Sequence, residues 1–418
     1  MPATPPRDPR QARSLLATAP FPTSLQRLVE RIEAAGFEAY LVGGCVRDVL
    51  LGRPLSDFDV ATSAPPERVQ ALFRRTIPTG IEHGTVTVLL DRGRTTVEVT
   101  TYRGEADYRD GRRPERVTFH GDLHADLARR DFTVNAFAYH PLHGTFVDDF
   151  DGLGDLAHRR LRAIGSAEQR FREDGLRPMR AVRFCATLSF TLDPDTEAAI
   201  PRTLDVFSKV AAERIHDELW KLLAAPRPSL GLAPMHRTGL WARTLPAPEP
   251  AALDDRLARV DRLPCDPVLR LAALLAERSD RTVADALQRL RASRRDTARV
   301  RAVLDPRARL LVTEDDPAVI RRAAAALGHA AVRDALDLFD AAGPVRRRVE
   351  RALEGAALSV RELRVGGRDL AQAGIVPPGP AMGRCLAALL DWVLEDPSRN
   401  DRARLLDHAR ACCGGADP

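Results

Sequence analysis

Hydrophobic positions in the first third of the chain come in short runs with a period near two, broken by glycine. From Ala167 onward they recur every three or four residues, the spacing of one helical face. Residues 37–42 form a mostly apolar run that ends at Gly43-Gly44, which predicts a strand entering a tight turn. Residues 46–51 predict a short helix stopped by Gly52 and Pro54, residues 57–61 a second strand, and residues 66–74 a helix. Two β-rich runs, 86–90 and 96–101, flank Asp91-Arg92-Gly93-Arg94 and predict a hairpin. Amphipathic helices are predicted over 176–188, 211–223, 268–276 and 283–290, with junctions in the proline-containing stretches 225–234, 244–250 and 374–380. No internal repeat stands out. No apolar run approaches the ~18 residues of a membrane span, so no membrane is expected as a partner. The pattern predicts an α/β head followed by a long helical body and tail.

Composition bounds this picture without deciding it. A chain of 418 residues, 44% hydrophobic and 29% charged, suits roughly two to four globular modules. The net charge of +5 and pI near 9.1 permit a polyanionic partner without demanding one. The cations are almost all arginine, with lysine only at Lys209 and Lys221, which biased codon usage explains. Arginine's planar fork nonetheless suits phosphates and base edges. Six cysteines lie scattered with no CxxC pair, so neither a zinc site nor a disulfide framework is expected. The N-terminus, MPATPPRDPRQARS, is Pro- and Arg-rich with no apolar core, and reads as a ragged leader on a cytoplasmic protein.

The chemistry concentrates in residues 41–62, LVGGCVRDVLLGRPLSDFDVAT. Gly43 and Gly44 after a strand let the backbone approach a phosphate closely, and Arg47 follows one turn on to neutralise charge. Asp57 and Asp59, two apart on a strand, send both carboxylates to one face. Like charges there are a poor structural device and a good one for Mg²⁺, which prefers oxygen ligands shared with substrate phosphates. An isolated DxD is ordinarily a solvated turn; the upstream GG and arginine lift this one out of that class. Glu98 alternates with Val97 and Val99, and either adds a third carboxylate for the metals or makes a cross-strand ion pair.

This segment resembles the signature of the nucleotidyltransferase superfamily that includes DNA polymerase β. More narrowly, it resembles the class II tRNA nucleotidyltransferase and bacterial poly(A) polymerase family. Three further blocks match that family in order: RRDFTVNA at 129–136, EDGLRPMRAVRF at 173–184 and ERIHDEL at 213–219. The stretch from Val365 resembles the family's tail. The resemblance implies an α+β fold: a polymerase β-like nucleotidyltransferase head with a small mixed sheet, followed by an all-α neck, body and tail. Its expected limits are a leader over 1–24, head 25–165, base-recognising neck 166–225, body 226–360 and a tRNA-binding tail 361–418.

The implied activity is template-independent addition of C, C and then A to the 3′ end of tRNA. CTP and ATP are the substrates, pyrophosphate leaves, and Asp57 and Asp59 hold Mg²⁺. The partners implied are the tRNA 3′ end and elbow, with no obligatory protein partner. Gly43, Gly44, Arg47, Arg130 and Asn135 would bind the nucleotide's phosphates and sugar, although Arg130 and Asn135 could instead anchor a helix.

Spacing of three sets Asp174, Arg177, Arg180 and Arg183 along one predicted helical stripe, which by itself also fits an ion-paired helix face. The resemblance makes Asp174 and Arg177 a protein template. A carboxylate accepts from the amino group that cytosine and adenine share, a guanidinium donates to the ring nitrogen beside it, and uracil presents a carbonyl instead. Arg180 and Arg183 would support the triphosphate or the template pair.

Residues 75–88, RTIPTGIEHGTVTV, resemble the form carried by CCA-type members, and residues 102–119 resemble the loop that CCA- and A-adding members keep. Asp107, Arg109, Asp110 and Arg112 charge that loop, and Gly104 and Gly111 give it hinges. Residues 271–277 show no His-Asp pair, so no phosphohydrolase activity is expected. Three rivals remain: an A-adding enzyme beside a separate CC-adding one, a poly(A) polymerase, and a non-catalytic RNA-binding protein. The intact carboxylates argue against the last.

Overall fold

Val86, Val88, Val97 and Val99 alternate with polar residues, and that alternation builds the middle of a seven-stranded mixed sheet. The computed structural model describes residues 5–81, 84–103, 122–246, 253–339 and 343–413 and divides into two units, 1–248 and 249–418. The first unit opens with α1 (Pro9–Ala17), α2 (Thr23–Ala34), β1 (Ala39–Val42), α3 (Gly44–Leu50), β2 (Phe58–Thr62) and α4 (Pro66–Leu72). Then come β3 (Thr76–Gly80), β4 (Thr85–Leu90), β5 (Thr95–Thr101), α5 (Leu123–Ala128), β6 (Ala138–His140), β7 (Thr145–Val147) and α6 (Gly152–Ala157). A helical half follows: a small β8 (Arg160–Leu161) and β9 (Thr191–Leu192) pair, α7 (Ala167–Glu173), α8 (Arg177–Leu188), α9 (Pro194–Ala199) and α10 (Leu204–Phe207). It ends with α11 (Ala212–Leu223), α12 (Ser229–Arg237) and α13 (Leu240–Thr244).

The strand order is β3-β4-β5-β2-β1-β6-β7, with β2 and β5 parallel and their neighbours antiparallel. One face buries Val60, Val86, Val88, Val97 and Val99, with α2 and α4 packed against the strands. On the other, Val42, Ala61 and Ala138 form a core with Leu127 of α5, Tyr102 and Ile164. The predicted hairpin is present, with Leu90 opposite Thr95 and positive φ at Asp91, Arg92 and Gly93. Three strands of this sheet went unpredicted, as did the two-residue β8 and β9. β3 carries Pro78, which suits an edge strand and reads as loop, and β6 and β7 are three residues each, too short for a period.

Side-chain caps set several helix starts: Asp122 accepts from Ala125 N, Ser166 from Gln169 N and Asp193 from Thr196 N. The proline-containing stretch 225–234 is no junction. Residues from Ser229 form α12 with Pro234 inside it, and α12 packs across α8. Gly231 permits that crossing, because a Cβ there would collide with the Val182 carbonyl oxygen.

The second unit is all helical among the described residues: α14 (Leu253–Arg262), α15 (Pro267–Leu275), α16 (Asp280–Arg289), α17 (Arg294–Leu304), α18 (Pro306–Thr313) and α19 (Pro317–Leu327). After them come α20 (His329–Leu338), α21 (Gly343–Leu353), α22 (Gly367–Gln372), α23 (Pro380–Glu395) and α24 (Arg402–Cys413). Leu311, Ile320, Ala324 and Val349 centre one core, and Leu370, Leu389, Val393 and Leu405 another. Buried Arg321 of α19 donates to the carbonyls of Leu394 and Glu395 where α23 ends, satisfying groups the helix leaves unpaired. No described helix is long and apolar enough to cross a membrane.

Gly231→Ala is expected to lower the unfolding free energy by roughly 1–3 kcal/mol, the usual cost of overpacking. Urea and thermal unfolding measure this; unchanged midpoints would mean that α12 and α8 separate freely.

Candidate active site

Sheet register brings the carboxylates together. Val42 pairs with Asp59 and Asp59 with Glu98, so the end of β1 and two acids stand in one row. Asp57 sits one residue before β2 and is exposed, accepting a 3.0 Å hydrogen bond from the Ser56 hydroxyl. All three acids line one cavity of about 570 Å³. Among the described residues no arginine pairs with any of them, which removes the cross-strand ion-pair reading of Glu98. Burial, together with the charges of Glu98 and Asp57, pushes the Asp59 carboxyl up to about 6 against the pull of Arg130 and Arg180. Three carboxylates lining one cavity with no arginine paired to them suit a divalent metal ion, although their oxygens do not all lie within 4.8 Å of one another.

Gly43 closes the row at φ +72°, a conformation that suits glycine. A Cβ there would lie 2.9 Å from Arg130 Nη1 and 3.6 Å from Asp59 Oδ2, so backbone and both charged groups meet where any side chain would intrude.

Behind that wall the chain neutralises its own arginines. Arg47 is buried, donating to the Asn135 side-chain oxygen and to Asp48 at 3.0 Å. The Asn135 amide donates to Asp131 at 3.0 Å, and Arg180 Nε donates to the other Asp131 oxygen at 2.8 Å. Burial works against the Asp131 charge, but Arg180, the Asn135 amide and Arg177 outweigh it and hold the carboxyl well below its ordinary range. Arg129 and Arg130 share buried Asp126. Asp131 and Asp126 escaped the sequence analysis as site residues, though Asp131 stands inside the 129–136 block. A carboxylate between arginines and apolar residues was the available signal.

The predicted helical stripe is only partly right. α8 begins at Arg177, so Arg177, Arg180 and Arg183 share a helix, while Asp174 caps the end of α7 in an extended conformation. Gly175 lies in the break, where a Cβ would lie 2.8 Å from the Val206 carbonyl oxygen. Asp174 still lines the same cavity as the three arginines. Its carboxylate accepts from Leu176 N and from Arg214 at 3.1 Å, a partner in the 213–219 block that sequence reasoning did not single out. Arg177 donates to Glu173, to the Arg170 carbonyl and to the Arg129 carbonyl. Arg183 lies 3.7 Å from the Phe184 ring centroid and pairs with buried Glu218 of α11.

Glu33, His140 and His143 form a second cluster, outside this cavity. His140 Nδ1 accepts from the Leu142 and His143 amides, which puts the ring proton on Nε2, donated to Glu33 at 2.9 Å. Asp107, Arg109, Asp110, Arg112, Gly104 and Gly111 of the loop, and His83 of the 75–88 segment, lie outside the described residues.

Residues 39–162 match the poly A polymerase head domain family, and residues 189–251 a family described as a probable RNA and SrmB-binding site of polymerase A. A CCA-adding enzyme of Lactiplantibacillus plantarum is 40% identical over 393 residues, covering 92% of this chain and 94% of that protein. The chain belongs to the CCA-adding enzyme family. The family's Lacticaseibacillus paracasei member is likewise 40% identical, over 382 residues, covering 91% and 94%. The Bacillus stearothermophilus CCA-adding enzyme in complex with CTP superposes with a TM-score of 0.75 at 32% identity, covering 93% of this chain and 98% of that one. The Thermotoga maritima CCA-adding enzyme complexed with tRNA shares the fold, with a TM-score of 0.71 at 20% identity over 96% of this chain and 98% of that one.

Gly43→Ala is expected to destabilise the fold by only about 1–3 kcal/mol, the cost of a side chain in a glycine conformation. The same change should weaken CTP and ATP binding severely by displacing Arg130. Calorimetric nucleotide titration beside a thermal melt separates the two; normal affinity would show that the close approach at Gly43 is dispensable.

Proposed function

We propose that this CCA-adding family member builds the CCA end of tRNA in the cytoplasm, adding C, C and then A from CTP and ATP with release of pyrophosphate. The observation that carries the reading is one cavity lined both by the Asp57, Asp59 and Glu98 carboxylates and by Asp174 with Arg177. The first group suits metal-dependent transfer and the second suits reading a base.

Asp57 and Asp59, with Glu98 beside them, would hold Mg²⁺, which lowers the barrier by activating the RNA 3′-hydroxyl and stabilising the departing pyrophosphate. Arg47, Arg130 and Arg180 line the same cavity and supply positive charge, by which a triphosphate is stabilised electrostatically. Buried Asp131 and Asn135 hold those guanidinium groups in fixed orientations, so little reorganisation is needed on binding. Asp174 accepts from the amino group of cytosine or adenine and Arg177 donates to the adjoining ring nitrogen. Uracil would set a carbonyl against the Asp174 carboxylate, leaving buried polar groups unpaired.

The 102–119 segment and the 75–88 segment support addition of CCA or of A over addition of C alone or poly(A) synthesis. The deciding assay offers each labelled nucleotide to purified protein with tRNA lacking CCA, tRNA ending in CC, and unrelated RNA. Incorporation only into CC-ended tRNA would make the enzyme A-adding, and long A tails on unrelated RNA would make it a poly(A) polymerase.

Asp57→Ala and Asp59→Ala, singly or together, should abolish incorporation of both CTP and ATP while tRNA binding, read by filter retention, persists. Residual addition beyond a small fraction of wild type would remove the metal assignment. Asp174→Asn replaces an acceptor by a group that also donates, so it should admit UTP, eroding discrimination by roughly 10- to 100-fold. Competition between UTP and CTP measures this, and undiminished rejection of UTP would exclude Asp174 from base reading.

A further inference from the structure

The register that sets Asp59 beside Glu98 continues outward. Glu98 pairs with Thr87 and Thr87 with Ile77, so one row of the sheet runs Val42, Asp59, Glu98, Thr87, Ile77. The next row on the same face runs Ala61, Thr100, Thr85, Gly80. Over β1, β2 and β6 this face is covered by Leu127 of α5 and Ile164. Over β5, β4 and β3 it is open among the described residues. Glu98 and Thr79 are exposed, Thr85 and Thr100 half-buried, and Ile77 keeps 44% of its surface, while Thr87 is buried beneath them and reaches the surface only through its bond to Thr79.

That open face is a patch of hydroxyls. Thr79 and Thr87 lie 2.6 Å apart through their Oγ1 atoms and Thr85 and Thr100 3.0 Å apart, while Arg103 Nη2 donates to Thr85 at 3.3 Å. Thr79 also donates to the Ile77 carbonyl at 3.4 Å, so its pair with Thr87 uses both protons and offers lone pairs, while the Thr85–Thr100 pair uses one proton and retains the other. Thr100 and Arg103 also line the cavity that holds the carboxylates.

Direction follows from the chemistry. In-line displacement requires the attacking hydroxyl to enter opposite the leaving group. Of the arginines suited to the triphosphate, Arg130 lies against Gly43 at the end of β1 and Arg47 follows on α3, so the acceptor enters from the other side of the acids, across β5, β4 and β3. Resting on the nucleotidyl-transfer reading above, we propose that Thr79, Thr85, Thr87 and Thr100, with Arg103 and Ile77 at the edges, seat the last riboses of the acceptor RNA. A ribose 2′-hydroxyl is donor and acceptor at once, as a threonine hydroxyl is, and it is the group by which a protein tells RNA from DNA. Arg103 adds positive charge for the backbone, and Ile77 offers an apolar contact to a sugar or base.

The test uses the full-length enzyme, ATP and tRNA ending in CC, either all-ribose or with 2′-deoxy sugars at its last two nucleotides. Wild type should show a raised KM for the deoxy substrate. Thr85→Val with Thr100→Val, and separately Thr79→Val on the exposed edge strand, should raise KM for the all-ribose RNA roughly three- to tenfold. They should also narrow the difference between the two RNAs, leave KM for ATP within a factor of about two, and regain discrimination as the Thr→Ser forms. Thermal melts check folding, and Thr79, being exposed, keeps the test alive if the double variant does not fold. Unchanged KM for RNA with full discrimination overturns the proposal, as does a rise in KM for ATP alone. Failure of wild type to extend either RNA would instead overturn the nucleotidyl-transfer reading beneath it.

Discussion

Three carboxylates standing together without a cation of their own set the terms for the rest of the first unit. Asp57, Asp59 and Glu98 line one cavity, and the partial burial of Asp59 makes their mutual repulsion costlier than it would be in water. The obvious remedy would be for the nearby arginines to pair with them. The structure prevents it by giving each arginine another acid: Asp126 for Arg130, Asp48 for Arg47 and Asp131 for Arg180. An anionic edge and a cationic wall therefore coexist in one cavity, an arrangement that a metal ion and a triphosphate would together complete.

Keeping the charges apart also ties the helical half to the sheet. Arg180 and Arg177 project from α8 and end on Asp131 and on the Arg129 carbonyl, groups that belong to the head. Arg183 pairs with Glu218 on α11, which Arg180 also approaches at 3.9 Å, so α8 is tied to buried acids both of the head and of α11. Removing one member of such a network leaves a buried charge uncompensated, which is why the motif residues behave as a set. The base-reading candidates stand at the edge of this network, with Asp174 held by Arg214 and the Leu176 amide.

Much of this was readable from the chain. Glycine pairs, a spaced pair of aspartates and blocks of arginine carry their chemistry locally, because each depends on backbone conformation or on spacing along one element. Strands β1, β2, β4 and β5 and helix α8 followed from period alone, and all the predicted site residues line the one cavity except those the structure does not describe. The family followed from the order of four short blocks.

What needed the folded molecule was everything that depends on partners far apart in sequence. Glu98 could be placed beside Asp59 or beside an arginine until the parallel β2–β5 register decided it. Asp174 was expected on one helical stripe with the arginines, but α7 ends at Glu173 and α8 begins only at Arg177. Asp131 and Asp126 drew no reading from the sequence, and only packing shows them buried beside arginines. Spacing along a chain encodes which side chains share a face. Which charge is desolvated, and which opposite charge lies within reach, depends on pairing across the sheet and between layers, and that is settled by tertiary structure.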